Sequence, residues 1–128
     1  MSKPTVQAFT PDTKGLIWLR QQGRCALDGL HTDTGHFHHR KPRRMGGGRD
    51  PRLGEPANGL FLHTACHDRI ESNRVEALRN GWLLYAVQHP EDVPVLMWNG
   101  WFLLTGHTAT PTKGTTDDGL GDSDAARN

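Results

Sequence analysis

The apolar positions of this chain form a few short groups that long polar stretches separate. The first group, Leu16 to Leu19, follows Asp12 and precedes Gly23. Aspartate favours the N-terminal cap of a helix and glycine favours its end, so this pattern predicts a short helix capped by Asp12. Residues 1–11 contain two prolines and no apolar periodicity, which predicts a flexible arm.

The middle of the chain, from Arg24 to about Asn80, is polar and is predicted to contain two short strands. The first strand covers Thr34 to Arg40, and the second covers the apolar residues 60–62. Residues 42–56 between them include seven glycines and prolines, which predicts a long loop. A structureless loop of this length in a small domain is more often functional than incidental.

A helical pattern begins at Thr64, because Ile70 and the apolar residues seven and eight positions later share one helix face. Asn73 followed by Glu76 three positions later resembles a capping box. We therefore expect a break near Asn73 and a second helix after it. Gly81 then ends the helical segment.

Three apolar groups near the C-terminus predict a small antiparallel sheet. They cover residues 82–87, 95–98 and 101–104, and Asn99-Gly100 joins the last two. Asn-Gly is the strongest short signal for a hairpin, because both residues accept a positive φ. Threonine, glycine and aspartate dominate afterwards, so residues 106–128 are predicted to form a disordered acidic tail.

The length of the chain, 128 residues, leaves room for a single domain, which we predict over residues 12–105. The expected fold is α+β, with a short N-terminal helix and a small C-terminal antiparallel sheet. No apolar run approaches the roughly 20 residues that cross a bilayer, which excludes an integral membrane protein. The first residues lack the apolar stretch of a secretory signal, so the cytoplasm is the expected compartment.

Charge is distributed unevenly along the chain, although the formal net charge is only +1. Residues 36–52 contain six arginines and lysines against Asp50 alone, a local balance of +5. The C-terminal tail instead carries four aspartates against two basic residues. The middle segment is therefore suited to bind anions, whereas the tail repels them.

Histidines and cysteines are concentrated in the middle of the chain, and such clustering indicates a functional site because histidine is both the commonest metal ligand and the commonest general base. His38 and His39 are neighbours on a predicted strand and project to opposite sides. His67 and Glu71 lie four positions apart on a predicted helix and share a face. A metal ion bound between that face and one of the paired histidines would leave the other free to act as a base. His36 shares the strand face of His38 and is a further potential ligand. The members of the cluster are Cys25, His36, His38, His39, Asn58, His63, Cys66 and His67.

The order and spacing of these residues resemble the HNH endonucleases, a family also named ββα-metal or His-Me finger nucleases. The family pattern is an Asp-His or His-His pair followed by proline, often a Gly-Gly, and then an asparagine with a histidine nine residues later. Here nine positions separate Asn58 from His67, and four separate His67 from Glu71. The resemblance covers about residues 24–80 and is closest to small bacteriophage proteins. The matching segments are His38-His39-Arg40-Lys41-Pro42, Gly46-Gly47, residues 58–63, Cys66-His67 and Glu71.

The resemblance implies a ββα-metal core and a role for each matching residue. His38 and His67 would be metal ligands, and Glu71 lies where many members have a third ligand histidine. His39 would be the general base, and Asn58 would brace the loop and orient His39. A carboxylate at the third position still binds Mg²⁺, Mn²⁺ or Zn²⁺, so one catalytic divalent metal ion is expected.

Members of this family often hold a structural zinc ion in two Cys-x-x-Cys turns as well. This chain retains one cysteine of each turn, in Cys25-x-x-Asp28 and His63-x-x-Cys66. Aspartate and histidine are both zinc ligands, and His31 is an alternative to Asp28. The opposing interpretation is that the zinc is lost and that both cysteines pack as small buried hydrophobes.

The activity that the resemblance implies is that of a metal-dependent DNA endonuclease, which hydrolyses phosphodiester bonds. We refer to the basic segment of residues 36–52 as the basic loop. Within it, Arg40, Arg43 and Arg44 are the expected phosphate clamps, because a guanidinium fork fits phosphate oxygens. Related phage proteins act beside the terminase in DNA packaging. Terminase subunits are therefore candidate partners, and the host cytoplasm is the expected location.

A function of another class uses many of the same residues. A non-catalytic, zinc-stapled DNA-binding module that recruits another enzyme would also need the basic loop and the zinc ligands. It would not need His39 beside His38, or Asn58. Cleavage of a plasmid separates the two hypotheses.

Overall fold

The computed structural model describes residues 8–42, 51–106 and 108–114. Over these residues the protein is a mixed α+β structure with an N-terminal helix and two small antiparallel sheets. None of the helices in this part of the chain has the length and apolar character that a bilayer span requires. In chain order the elements are α1 (Pro11–Arg20), β1 (His36–His39), β2 (Gly59–Leu62), α2 (Thr64–Ser72), α3 (Arg74–Arg79), β3 (Val95–Met97), β4 (Gly100–Leu104) and β5 (Ala109–Pro111).

Helix α1 begins earlier than the sequence pattern predicts, because Thr10 rather than Asp12 caps it. The hydroxyl of Thr10 accepts a hydrogen bond from the backbone N–H three residues later at 3.1 Å, and Pro11 follows as the first helical residue. Proline suits this position because its missing N–H would have no partner there. The predicted flexible arm is therefore too long, since Phe9 is buried and Pro11 is helical. Residues 1–7 of the arm lie outside the described residues.

Strands β1 and β2 form a two-stranded antiparallel sheet in which His39 pairs with Gly59. Residues at the end of α1 bond to the other edge of β2. The buried amide of Gln21 accepts a hydrogen bond from the Phe61 N–H at 2.9 Å and donates one to the Phe61 carbonyl at 2.8 Å. Arg20 donates to the Gly59 carbonyl at 2.7 Å. Strand β2 is therefore held along both edges, which fixes the register of this small sheet.

The predicted break between two helices is present, because α2 ends at Ser72 and α3 begins at Arg74. Asn73 occupies the N-cap position of α3. Glu76, the partner that a capping box requires, instead binds the Arg69 guanidinium through both carboxylate oxygens, at 2.6 and 3.1 Å. The location of the break is thus confirmed, but the capping box that we gave as its cause is not formed.

The C-terminal sheet has the strand order β3-β4-β5, with antiparallel pairs throughout. The predicted hairpin is present, but its two-residue turn is Trp98-Asn99 rather than Asn99-Gly100, because Gly100 pairs with Met97 as the first residue of β4. Gly100 has a φ of 131°, whereas Asn99 does not have a positive φ. The prediction that the disordered tail begins at residue 106 is wrong, because residues 109–111 form β5. This strand pairs with the edge of β4 that does not face β3. Residue 107 and residues 115–128 of that tail lie outside the described residues.

The predicted strand over residues 82–87 is wrong. Its first three residues are buried, as their apolar side chains require, but their backbone groups bond outside any strand ladder. The Trp82 N–H donates to the Ala77 carbonyl at the end of α3, and the Leu84 N–H donates to the Arg40 carbonyl, each at 2.9 Å. A short apolar run that is buried on several sides does not by itself indicate a strand.

Both faces of the β1–β2 sheet are covered, each by a different part of the chain. Helix α1 and the residue Phe9 cover one face. Helix α2 contacts the sheet as well, and the main core extends from β2 to α3 and the C-terminal sheet. Alternate side chains of β1 therefore enter different surroundings. The buried members of the main core include Cys25, Leu60, Leu62, Cys66, Ile70, Ala77, Trp82, Val95 and Leu104.

Candidate metal centres

Residues from β1 and α2 meet and form a group of three potential metal ligands. We refer to His38, His67 and Glu71 as the three-residue group. Their ligand atoms all lie within 4.8 Å of one another, although 29 positions separate the two histidines in the chain. Metal–ligand bonds of about 2.0–2.2 Å put the ligands of one ion roughly 3–4 Å apart, so small side-chain rotations are enough to bind a single ion.

His38 is buried and is oriented by a backbone carbonyl. Its Nε2 lies 2.8 Å from the Trp82 oxygen. A carbonyl only accepts hydrogen bonds, so Nε2 carries the proton and the lone pair of Nδ1 remains for a metal ion. Burial, with smaller contributions from neighbouring positive charges, lowers the pKa of His38 to about 4. The imidazole is therefore neutral near pH 7, the form in which histidine binds a metal ion.

The ring of His67 contacts two histidines of β1. It meets His38 edge to face, with ring centroids 5.7 Å apart and an interplanar angle of 73°. It stacks on His36 at 4.8 Å and 23°. The Nε2 of His36 also lies 3.2 Å from the Thr64 hydroxyl at the start of α2. His36, the further potential ligand in our sequence analysis, thus lies beside the three-residue group without being one of its members.

His39 projects from the opposite face of β1, which is the face that it shares with Phe37. Its ring stacks on Phe9, with centroids 4.0 Å apart and an interplanar angle of 10°. The structure therefore does not bring the predicted base into the three-residue group. His39 is the last residue of β1, directly after His38, so the two histidines adjoin at the end of the strand.

Asn58 is completely buried and ties the two ends of the basic loop together. Its side-chain oxygen accepts a hydrogen bond from the Lys41 N–H at 2.7 Å. Its side-chain amide donates to the Lys41 carbonyl at 3.1 Å and to the Leu53 carbonyl at 3.0 Å. The side chain of Asn58 thereby holds the backbone two residues after His39.

The guanidinium of Arg40 is completely buried at the junction of three chain segments. Its Nε donates to the Gly81 carbonyl at 2.8 Å. Its two terminal nitrogens donate to the carbonyls of Ala57, Pro90 and Val93, at 3.0, 3.0 and 2.7 Å. Arg40 therefore connects the end of β1 to the irregular segment that supplies the carbonyl partner of His38.

This burial corrects the prediction that Arg40 clamps a phosphate. The side chain is 0% exposed, so its nitrogens cannot reach a bound polyanion without unfolding of this region. Burial and the charge of Arg20 lower the pKa of Arg40 to about 9, which still leaves it charged at neutral pH. Arg43 and Arg44, the other predicted clamps, lie outside the described residues.

A second group of potential ligands lies where the turn after α1 meets the start of α2. We refer to Cys25, Asp28, His63 and Cys66 as the four-residue group, and their ligand atoms also lie within 4.8 Å of one another. The sulfur of Cys66 is 3.5 Å from both Asp28 Oδ2 and His63 Nε2, which contact each other directly. Thiolate, imidazole and carboxylate are the ligand types of zinc, and four of them complete a tetrahedral site. These residues could therefore hold a metal ion.

Two local structures position the members of the four-residue group: the turn that contains Cys25 and Asp28, and the start of α2. The Cys25 carbonyl accepts a hydrogen bond from the Gly29 N–H at 2.9 Å, and Asp28 Oδ1 accepts one from the Leu30 N–H at 3.0 Å. Gly29 has a φ of 74°, a conformation that favours glycine. His63 is the N-cap residue of α2, so its side chain and that of the residue three positions later lie near the start of the helix.

The two thiols of the four-residue group are buried and are not joined in a disulfide. Burial, together with the neighbouring Cys25 and Asp28, raises the pKa of Cys66 to about 12, so the thiol needs a bound cation to ionise near neutral pH. Burial alone would raise the pKa of Asp28, but hydrogen bonds from neighbouring groups outweigh it and the net shift is downward. His31, the alternative to Asp28, is exposed and is not a member of the four-residue group; its backbone forms an isolated antiparallel β-bridge with that of Arg24.

Comparisons of the chain with protein-family models, with curated proteins and with solved structures found no significant match. A functional hypothesis therefore depends on the sequence motif and on the geometry of the two groups. Three features of that geometry were missed by our sequence analysis, namely the Trp82 carbonyl at His38, the burial of Arg40 and the stacking of Phe9 on His39. None has a local sequence signal, because each depends on a partner far along the chain.

Proposed function

We propose that the protein is a metal-dependent DNA endonuclease with a ββα-metal core, similar to the HNH family. The observation that carries this proposal is the three-residue group, in which His38 and His67 come within reach of a single ion. Apart from Glu71, which lies where many members have a histidine, the residue types, their order in the chain and the neighbouring His39 match the HNH pattern. His38 and His67 are far apart in the chain, yet their ligand atoms lie close together. An abundance of histidine in this part of the sequence does not by itself explain that proximity.

His38, His67 and Glu71 would hold one divalent metal ion. Two imidazoles and a carboxylate suit Mn²⁺ or Zn²⁺, and the carboxylate also suits Mg²⁺. When bound, such an ion stabilises the negative charge that grows on a phosphate and on its leaving oxygen. Three protein ligands leave further coordination positions for a substrate, which is the property that distinguishes a catalytic site from a structural one.

His39 would act as the general base. Histidine most often takes this role in enzymes near neutral pH. His38 and His39 are adjacent at the end of β1 but project from opposite faces, so this proposal places the phosphate at the end of the strand, between the ion on one face and His39 on the other. In this proposal His39 accepts a proton from the attacking water while Asn58 maintains the backbone that follows His39.

DNA binding would depend on the basic loop beyond Arg40. Because Arg40 is buried, the proposed phosphate contacts are Arg43 and Arg44 alone. Each neutralised phosphate releases counterions, so we expect affinity for DNA to fall steeply as the salt concentration rises. Contacts to phosphates do not distinguish one base from another, so they predict no preferred DNA sequence.

The four-residue group would hold a structural zinc ion. This ion would attach the turn after α1 to the first turn of α2, the helix that carries His67 and Glu71. Both cysteines also belong to the hydrophobic core, which is what the interpretation without zinc requires. The presence of Asp28 and His63 at the same sulfur favours zinc, because a purely apolar role for Cys66 needs neither polar partner.

Plasmid nicking in the presence of Mn²⁺, Mg²⁺ or Zn²⁺ tests the proposed activity. The wild-type protein should nick, and His38→Ala or His67→Ala should lose the ion of the three-residue group and the activity together. His39→Ala should keep that ion and lose about 10²–10⁴-fold in rate, which is the usual contribution of a general base. His89→Ala, at an exposed histidine outside both groups, is the matched control.

A second candidate function is the non-catalytic, zinc-stapled DNA-binding module. The observation that favours it is the position of His39, whose ring stacks on Phe9 rather than joining the three-residue group. A gel-shift assay run beside the nicking assay separates the two functions. Wild-type protein that shifts DNA but does not nick it with any of the three metals would support the binding module and contradict the nuclease.

A further inference from the structure

The aromatic ring of Phe9 lies flat on the ring of His39. The centroids are 4.0 Å apart and the planes differ by only 10°, which is a stacked geometry. Phe9 is 8% exposed, so this contact is part of the protein interior rather than a loose surface contact. The nitrogens of an imidazole lie in the ring plane, so a ring stacked on its face does not cover them.

Phe9 is held in this position by its own neighbours. It belongs to a small cluster with Ile17 and Phe61, against which Phe37 packs. It also directly precedes Thr10, the N-cap residue of α1, so the helix start limits where its backbone can lie. The ring that covers His39 is therefore anchored both through its side chain and through the chain that follows it.

Gly59 provides the space for this stack. It is the residue of β2 that pairs with His39. A β-carbon at this position would lie 3.0 Å from the Phe9 ring and would overlap the end of the Ile17 side chain. The φ of Gly59 is −114°, which any residue adopts, so the backbone does not require glycine there. The absence of a side chain instead allows Phe9 and Ile17 to pack beside His39.

From these contacts we infer that Phe9 is a positioning residue for His39, an inference that rests on the proposed endonuclease function. The stack restricts rotation of the imidazole about its side-chain bonds. It thereby holds the nitrogen that accepts the proton in one direction relative to the end of β1. Phe9 contacts neither substrate nor metal in this scheme and acts only through the orientation of His39.

NMR tests the contact without any assay of activity. In the wild-type protein the ring protons of His39, assigned by their disappearance in His39→Gln, should be shifted upfield by the Phe9 ring current. Phe9→Leu should remove this shift and Phe9→Tyr should keep it. Phe37→Leu removes an aromatic ring from the same cluster and should leave the His39 protons unchanged. Wild-type His39 protons at their random-coil positions would overturn the inference.

Steady-state cleavage tests the positioning role. Phe9→Leu should lower kcat about five- to tenfold, a loss comparable in size to one aromatic pair, while KM for DNA and the affinity for Mn²⁺ remain unchanged. Phe9→Tyr should restore kcat, and Phe37→Leu should cleave at the wild-type rate. Phe9→Met, which preserves more of the apolar volume, replaces Phe9→Leu if circular dichroism indicates that the leucine variant is unfolded.

Failure of this inference and failure of the proposed function give different results. If the wild-type protein nicks and Phe9→Leu has an unchanged kcat, the positioning role of Phe9 is overturned and the nuclease stands. An equal loss of kcat in Phe37→Leu would likewise overturn it, because the effect would then be one of general stability. If the wild-type protein does not nick DNA with any of the three metal ions, the nuclease proposal is overturned, and the role of Phe9 with it.

Discussion

The two candidate metal groups share the start of α2 but differ in the chemistry that they can support. His63 and Cys66 belong to the four-residue group. The next residue, His67, belongs to the three-residue group together with Glu71, which lies one turn later. Neighbouring residues on a helix are about 100° apart around its axis, so one turn can direct side chains to two separate sites. The position of a ligand along this helix therefore decides which of the two sites it joins.

Burial and ligand number separate the two groups further. Both sulfurs of the four-residue group are buried, and its four potential ligands are the number that a tetrahedral site needs. The three-residue group has only three ligands, and one of them, Glu71, is exposed. A closed site suits a structural ion and an open one suits chemistry on a substrate. Each of the following predictions should therefore affect one group more than the other.

The largest expected effect is loss of activity in His67→Ala. Removing one of three ligands should release the ion of the three-residue group and reduce nicking by about 10³-fold or more, because a catalytic metal ion contributes several kcal/mol of transition-state stabilisation. The four-residue group should still bind zinc, so elemental analysis should detect one ion in the variant and two in the wild type. Loss of both ions would mean that the two groups are not independent.

The next effect is on stability, in Cys66→Ser. A loss of 1 kcal/mol lowers the Tm of a domain of this size by about 4–8 °C, and losing a structural zinc ion removes several such increments. We therefore expect a fall in Tm of more than about 10 °C, measured by circular dichroism. Ala65→Ser changes the exposed neighbouring residue and should leave Tm unchanged. Equal melting of Cys66→Ser and wild type would indicate that the cysteines only pack.

Arg40→Lys should act mainly on the three-residue group. A lysine cannot supply the four hydrogen bonds of the guanidinium, and each buried carbonyl left without a partner costs about 1–3 kcal/mol. We expect a loss of about 2–4 kcal/mol in urea denaturation, with weaker Mn²⁺ binding because the segment containing Trp82 is released. Arg74→Lys, at an exposed position, is the control. Unchanged stability of Arg40→Lys would contradict the buried network.

The smallest expected effect is that of Glu71→Gln. The change keeps the shape of the side chain but removes its charge, so we expect about tenfold weaker binding of Mn²⁺, measured by calorimetry. Zinc in the four-residue group should be unaffected. Glu91→Gln, at an exposed glutamate outside both groups, should bind Mn²⁺ as the wild type does. Unaltered affinity in Glu71→Gln would remove this carboxylate from the ligand set.

Local signals were sufficient for part of the fold, and the resemblance to a family implied the members of both groups. The break at Asn73 and the hairpin beside Asn99 follow from residues that are close in the chain. Helix spacing also puts His67 and Glu71 on one face, whereas the members of the four-residue group were implied by the resemblance to the HNH family. Where the interacting residues are neighbours in sequence, the pattern is visible without the fold.

Features that depend on long-range contacts were not predicted from local sequence patterns. Arg40 has the same appearance in the sequence as the exposed arginines expected in a basic loop, yet its hydrogen-bond partners lie 17 to 53 positions away. Residues 82–84 are buried, and their backbone is irregular because its N–H groups donate to the carbonyls of Ala77 and Arg40, whereas residues 85–87 are exposed. Neither outcome could be predicted from a local window.

The order and spacing of the histidines, cysteines and acidic residues by themselves determined which side chains were candidates for binding a metal ion. The tertiary structure brings the members of each group within reach of one another, and it alone decided that His39 faces Phe9 and that Arg40 is an interior residue. The physical reason is that ligand chemistry belongs to each side chain, whereas burial and proximity arise only when distant segments pack together.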